Sequence, residues 1–452
     1  MRSSVASAAL LVTCLVVAAA ARSTGRTTLS VLSFGAAGNG VTDDAQALVA
    51  AWQVACRVPR ATVLVLPSGH RFLLSPVTLQ GPCSAKLTLQ IDGTVLAPPE
   101  MGSWPKPRRP LQWLNFKWLQ GFSIQGTGAV DGGQQSASPA NASQTSTGTG
   151  HWHSPGVKPT LIRFYNSFNV SVRNIRISNS PQCHLKFDSS GGIRVKNVTI
   201  SSPGDSPNTD GIHLQNTKDV EIRSSTIGCG DDCVSIQTGC SNVHMKNVVC
   251  NPGHGISLGG LGKDNSLACV SDVVAENIVV QNALYGVRIK TWQVTMISIL
   301  YINTTLSLSS MTGSSHPQGG VGSVRNITFS NVRVANVATP IAIDQFYCDR
   351  GGARCANRTG AVAIAGVAYR RVVGTYTFQP LRLACSDARP CTGVTMLDVR
   401  LSPAAAGGTV APLCWNSYGE ARGTIIQPLS VGCLQRSNGY AMPLTQPFNY
   451  TC

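Results

Sequence analysis

From residue 170 onward the chain alternates apolar and polar positions over short blocks rather than over helical turns. The blocks Asn174-Ile175-Arg176-Ile177, Asn197-Val198-Thr199-Ile200, Ser224-Ser225-Thr226-Ile227, Asn247-Val248-Val249-Cys250, Asn277-Ile278-Val279-Val280 and Asn326-Ile327-Thr328-Phe329 begin 23, 27, 23, 30 and 49 residues apart. Alternation at period two predicts strands, and a repeat of about 20 to 30 residues without amphipathic helices between them predicts the coils of a parallel β-helix. The Asn positions would stack at turns, coil upon coil. An antiparallel β-sandwich is the competing architecture, and the regular return of Asn argues against it. Ahead of the repeat, Thr42-Asp43-Asp44-Ala45 through Cys56 predicts a helix with Thr42 or Asp43 at its N-cap. Such a helix would cover the open end of the solenoid. Residues 133–160, rich in Ser, Thr, Gly and Gln, predict a long excursion from it, and beyond residue 400 the pattern decays into a cysteine-bearing cap.

The N-terminus changes the setting. Met1-Arg2-Ser3-Ser4, the apolar run Val5 to Ala20 and the small residues Ala19-Ala20-Ala21 have the form of a signal peptide over residues 1–21. This predicts a secreted, extracellular protein, with the solenoid over residues 22–435 and a tail over 436–452. No later stretch holds the roughly 18 apolar residues of a membrane helix, and the nearest, Val294 to Leu308, is rich in Ser, Thr and Asn. Sequons at Asn141, Asn169, Asn197, Asn303, Asn326, Asn357 and Asn449 fit the secretory route.

Of 16 cysteines Cys14 would leave with the signal, so 15 remain for up to seven disulfides and one thiol. Cys56 with Cys83, Cys233 with Cys250, Cys348 with Cys355, Cys385 with Cys391 and Cys414 with Cys433 are the local pairs expected. Zinc at Cys229-x-x-x-Cys233 is the rival use of two of them. The excess of 36 Lys and Arg over 20 Asp and Glu, a formal charge of +16, asks for an anionic partner. Secretion favours an acidic polysaccharide over a nucleic acid, with no membrane partner and a monomer.

The chemistry concentrates in four successive strands, Gly211-Ile212-His213-Leu214, Cys233-Val234-Ser235-Ile236, Gly255-Ile256-Ser257-Leu258 and Val287-Arg288-Ile289-Lys290. Asp210, Asp232 and His254 precede the first three at separations of 22 and 22. With a 22-residue coil these side chains stack on one face, about 4.8 Å apart per strand step. Asp231 stands beside Asp232, and Arg288 and Lys290 share a face. Like charges at strand spacing repel, so the set serves stability badly. Glycosidase chemistry does use it: one protonated carboxylic acid at the leaving oxygen and one carboxylate to activate water or attack carbon. Arg288 and Lys290 would grip substrate carboxylates, one as a planar fork and the other as a point charge.

At Asn208-Thr209-Asp210-Gly211-Ile212-His213, Gly230-Asp231-Asp232-Cys233, Gly253-His254-Gly255-Ile256-Ser257 and Arg288-Ile289-Lys290 the chain resembles the polygalacturonases of glycoside hydrolase family 28, specifically their plant members. All four motifs stand in the family's order and spacing. Weaker echoes run from Val31-Leu32-Ser33-Phe34-Gly35 through Ser180-Pro181 to Ile343-Asp344-Gln345-Phe346-Tyr347-Cys348, so the likeness covers about residues 30–435. The resemblance implies an all-β, single-stranded right-handed parallel β-helix and a cofactor-free, metal-free inverting hydrolase of pectin in the cell wall. It implies Asp231 as general acid, Asp210 and Asp232 sharing the nucleophilic water, and His254 tuning the acid and holding substrate. Asn208, Arg288, Lys290 and Tyr347 would bind galacturonate.

A calcium-dependent pectate lyase is the competing enzyme, since Asp210, Asp231 and Asp232 could instead form an ion cluster. A wall-binding solenoid without activity is the competing non-enzyme. Residues 294–318 bear on it, because 25 residues without Asp, Glu, Lys or Arg interrupt the repeat there. Subtracting them from the 49-residue spacing leaves 24, among the other coils. In the resembled family Lys-Thr-Trp-Gln is commonly followed directly by Gly-Gly, and here the segment alone separates Gln293 from Gly319. It begins with Val (codons GT) and ends with Gln (codon CAG), as a retained in-frame intron would; a lineage-specific loop is the alternative.

Overall fold

The computed structural model describes residues 26–84, 86–98, 112–133, 158–263, 266–292, 321–347, 362–405, 408–426 and 434. The expected signal peptide, the C-terminal tail, most of the 133–160 excursion and segment 294–318 lie outside these residues. Strand pairing is parallel throughout the described chain, in one sheet of 21 strands and one of 11. The 11 strands follow chain order from Val77–Gln80 to Leu413–Trp415, one per coil, as a single-stranded right-handed β-helix requires.

Alternation sets what faces inward. In the 11-stranded sheet Phe116, Phe164, Phe187, Leu214, Ile236, Leu258, Ile289, Ile343 and Leu383 form one in-register row. All are essentially buried. The first three rings stack at centroid distances of 5.0 and 5.2 Å. Rows of identical chemistry at strand spacing are what a solenoid core consists of, since each coil buries its face only against its neighbours.

Helix α1, Ala45–Arg57, covers the N-terminal end by burying Leu48, Ala51, Trp52 and Ala55. Trp52 meets Phe116 and Phe122 and donates its indole N–H to the Gln80 carbonyl at 3.1 Å. The N-cap differs from the expectation. Asp44 occupies it without capping, because its carboxylate accepts from the Ala37 and Gly38 amides at 2.6 and 3.0 Å. Asp43 Oδ1 accepts instead from the Ala45 amide at 3.0 Å.

Asn stacking is present, with one register correction. Asn174, Asn197, Asn247 and Asn277 all hold positive φ, and Asn197 and Asn277 donate to Asn174 and Asn247 at 3.0 and 3.1 Å. The residue that stacks on Asn277 is Asn331, at 2.6 Å, while Asn326 stacks on Asp272 in a parallel ladder. Two Asn ladders five residues apart look alike in sequence, which made Asn326 the wrong partner. The true spacing is 331 − 277 = 54; less the 25 residues of segment 294–318 it is 29, against 30 from Asn247 to Asn277.

Disulfides join Cys56 to Cys83, Cys233 to Cys250 and Cys385 to Cys391, as expected. Cys414 is also disulfide-bonded, while Cys348, Cys355 and Cys433 lie outside the described residues. Cys183, Cys229 and Cys240 are buried thiols, so at least three are free where one was expected, and Cys233 is not available to zinc. These thiols sit in the core as small hydrophobes. Burial pushes that of Cys240 up to about 12.

Candidate active site

The outer face of the 11-stranded sheet gathers the predicted residues where four strands begin. Ile212, Val234, Ile256 and Val287 pair in register, which sets Asp210, Asp232 and His254 two residues ahead on successive coils. The loops that carry them are fixed from below. Gly230 donates its amide to Thr209 Oγ1 at 2.9 Å, and a Cβ on it would lie 1.9 Å from the Ser206 carbonyl, so only glycine fits ahead of Asp231. At Gly255, φ +77°, a Cβ would lie 2.2 Å from the Tyr285 carbonyl. The Cys233–Cys250 disulfide ties the coil of Asp232 to the next.

The carboxyls have separate partners. Asp232, with its side chain 3% exposed, accepts from Arg288 at 2.7 Å on Oδ1 and from Lys290 Nζ at 3.4 Å on Oδ2. Asp231 Oδ1 lies 3.1 Å from His254 Nδ1 and also accepts the Asp232 amide at 2.8 Å. Asp210 Oδ2 lies 2.8 Å from His213 Nδ1. One carboxylate oxygen each of Asp231 and Asp232 and a ring nitrogen of His254 lie within 4.8 Å of one another.

Environment pulls the carboxyls apart. Burial raises Asp210, with Asp232 and Asp231 adding to it against the His213 hydrogen bond. Burial also raises Asp231, but the His254 hydrogen bond and the charges of His254 and Lys290 outweigh it and hold that carboxyl below the ordinary range. Two carboxyls pushed in opposite directions are the raw material of acid–base catalysis.

Lys290 lies over Tyr347 at 5.1 Å, Tyr347 meets Trp292 edge-on at 5.2 Å, and Lys263 lies over Trp292 at 4.9 Å. Arg288 stacks on Tyr285 at 4.2 Å and donates to Ser257. Tyr347 thus joins the cations. Asn208 stays exposed on the loop before Asp210 at φ 58°. Sequence reading passed over His213, Ser257, Tyr285, Trp292 and Lys263. The signal for His213 and Ser257 was present: both stand in the in-register row that holds Arg288.

The model of Glycosyl hydrolases family 28 matches residues 56–414. The chain belongs to that family. A polygalacturonase of Malus domestica is 36% identical over 400 residues, covering 86% of this chain and 79% of the relative. One of Chamaecyparis obtusa is 37% identical over 378 residues, covering 83% and 67%. Among solved structures, an endo-xylogalacturonan hydrolase from Aspergillus tubingensis aligns with a TM-score of 0.68 at 22% identity, over 87% of this chain and 96% of that one. At that identity the match speaks for the fold alone.

Proposed function

We propose that this family 28 glycoside hydrolase cleaves the α-1,4-galacturonosyl bonds of polygalacturonate, with inversion, in the extracellular cell wall. The observation that carries the reading is the pairing of Asp231 with His254 directly beside an Asp232 clamped between Arg288 and Lys290. Asp231 donates its proton to the leaving oxygen as the glycosidic bond breaks. Water attacks the anomeric carbon and gives its proton to the Asp210 and Asp232 pair. In the free protein Asp231 is held ionised by His254 and Lys290. A bound galacturonate carboxylate offsets the charge of Lys290, which lets burial raise the Asp231 carboxyl toward its protonated form. Arg288, Lys290, Tyr347 and Asn208 grip the sugar acids. The disulfides fit an oxidising compartment, and hence secretion.

A calcium lyase needs free carboxylate oxygens around the ion. Asp232 has committed both of its oxygens to cations, and His254 offers nitrogen to an oxygen-seeking metal. Lys290→Ala is therefore expected to raise KM on polygalacturonate more than it lowers kcat. Wild-type activity should fall as salt rises, because partly exposed charges are screened over about 8 Å at physiological ionic strength, and chelators should leave it unchanged. Loss of activity to a chelator, restored by calcium with unsaturated products, would favour the lyase.

Segment 294–318 is proposed to be dispensable, as a retained intron. The preceding coil connects Leu261 to Leu267 with five residues, and their register partners are Thr291 and Val321. Without the segment those partners would be joined by Trp292, Gln293, Gly319 and Gly320, a connection of nearly equal length. A chain lacking 294–318 is expected to be more active and to melt higher than the full chain. A shortened protein that is inactive or fails to fold would contradict this, and mature transcripts that all retain the segment would refute its origin as an intron.

A further inference from the structure

The 21-stranded sheet carries a second concentration of charge on a face the catalytic machinery does not use. Arg173, Lys196, Arg223 and Lys246 pair directly across four successive strands. The residues before them, Val172, Val195, Ile222 and Met245, are buried, so all four cations point outward. Arg173, Lys196 and Arg223 are exposed, and Lys246 keeps 37% of its side chain exposed.

Four like charges at strand spacing oppose folding, and nearby acids relieve them only in part. Glu221 is shared between Arg194 and Arg223, and Glu276 closes the far end of the row by pairing with Lys246. Arg173 leans on Gln125 of the preceding coil, and Lys196 has no acidic partner among the described residues. Arg194, two positions before Lys196, adds a fifth cation on the same face.

We propose that this ladder is a non-catalytic binding surface for a linear polyuronate chain, running across the strands with one carboxylate near each rung. Charge complementarity and periodicity select the ligand: cations recur about every 4.8 Å, and a 1,4-linked polyuronate bears one carboxylate per sugar. The surface would hold the enzyme on its polymer while the groove in the other sheet acts. The choice of polyuronate rests on the proposed substrate class.

The test is retention of the Asp231→Asn protein, freed of N-glycans because the sequon at Asn197 adjoins Lys196, on immobilised polygalacturonate. Replacing Arg173, Lys196, Arg223 and Lys246 with Gln is expected to weaken retention on the order of tenfold at low salt, and less as salt rises. The same four substitutions in an Asp231 background should leave kcat/KM on trigalacturonate unchanged. A control replacing the exposed Arg26, Arg60, Arg400 and Arg422 with Gln should lose far less retention, since net charge alone would act equally in both. Equal loss in the control, unchanged retention in the ladder variant, or stronger retention on duplex DNA than on polygalacturonate would each overturn the proposal. Failure of the groove to hydrolyse any galacturonan, with ladder-dependent retention intact, would sink the substrate reading and leave the ladder standing.

Discussion

Asp231→Asn is expected to lower turnover on polygalacturonate by about 10²- to 10⁴-fold, the span of general acid–base assistance, while the far-ultraviolet circular dichroism stays that of the wild type. The side chain is partly exposed and its change is nearly isosteric, so the coil beneath it has no reason to move. What goes is the carboxyl in contact with the His254 imidazole. In the wild type kcat/KM should rise as Asp210, its carboxyl raised by burial, loses its proton. Stability follows a different course. Because the folded state depresses the Asp231 pKa, the carboxylate contributes stability above the unfolded value and loses it as pH falls. The variant should therefore melt slightly lower at neutral pH and equal the wild type in acid. Near-wild-type turnover in a folded Asp231→Asn protein would remove the residue from the mechanism.

Arg288→Leu is expected to act on both stability and catalysis. Arg288 and Asp232 are 7% and 3% exposed, and removing one partner of a buried pair strands the other. Such losses reach about 3 kcal/mol or more; Lys290, 3.4 Å from the other oxygen of Asp232, limits the loss here. Loss of the fork that orients Asp232 should reduce kcat on short galacturonides as well as on polymer. The double variant Arg288→Leu with Asp232→Leu should recover stability and no activity. If Arg288→Leu alone melts as the wild type does, Asp232 is not held by the pair as described.

The sequence disclosed the coil repeat and the stacked Asp and His rungs for one physical reason: a solenoid turns a constant spacing into a stack. Asp210, Asp232 and His254 lie 22 apart because one coil is 22 residues there, and the register of Ile212, Val234 and Ile256 follows directly. Where two similar ladders run side by side, spacing loses its power. Asn326 and Asn331 are five residues apart and equally plausible as partners of Asn277, and only the hydrogen bonds separate them. Contacts across coils of unequal length were also hidden. Lys263, for example, reaches Trp292 from a different coil. The free thiols escaped for another reason: counting cysteines assumes that each can reach a partner, whereas Cys183, Cys229 and Cys240 serve the core as apolar residues.

In the proposed mechanism these carboxyls direct water to the anomeric carbon from the face opposite the leaving group. Following trigalacturonate hydrolysis by proton NMR before mutarotation tests it most directly. With inversion the new reducing end is expected to appear first as the β anomer, from an α bond, with no unsaturated sugar formed. An initial α anomer would mean a covalent intermediate and retention, and an unsaturated product would mean elimination; either result would rule out inverting hydrolysis.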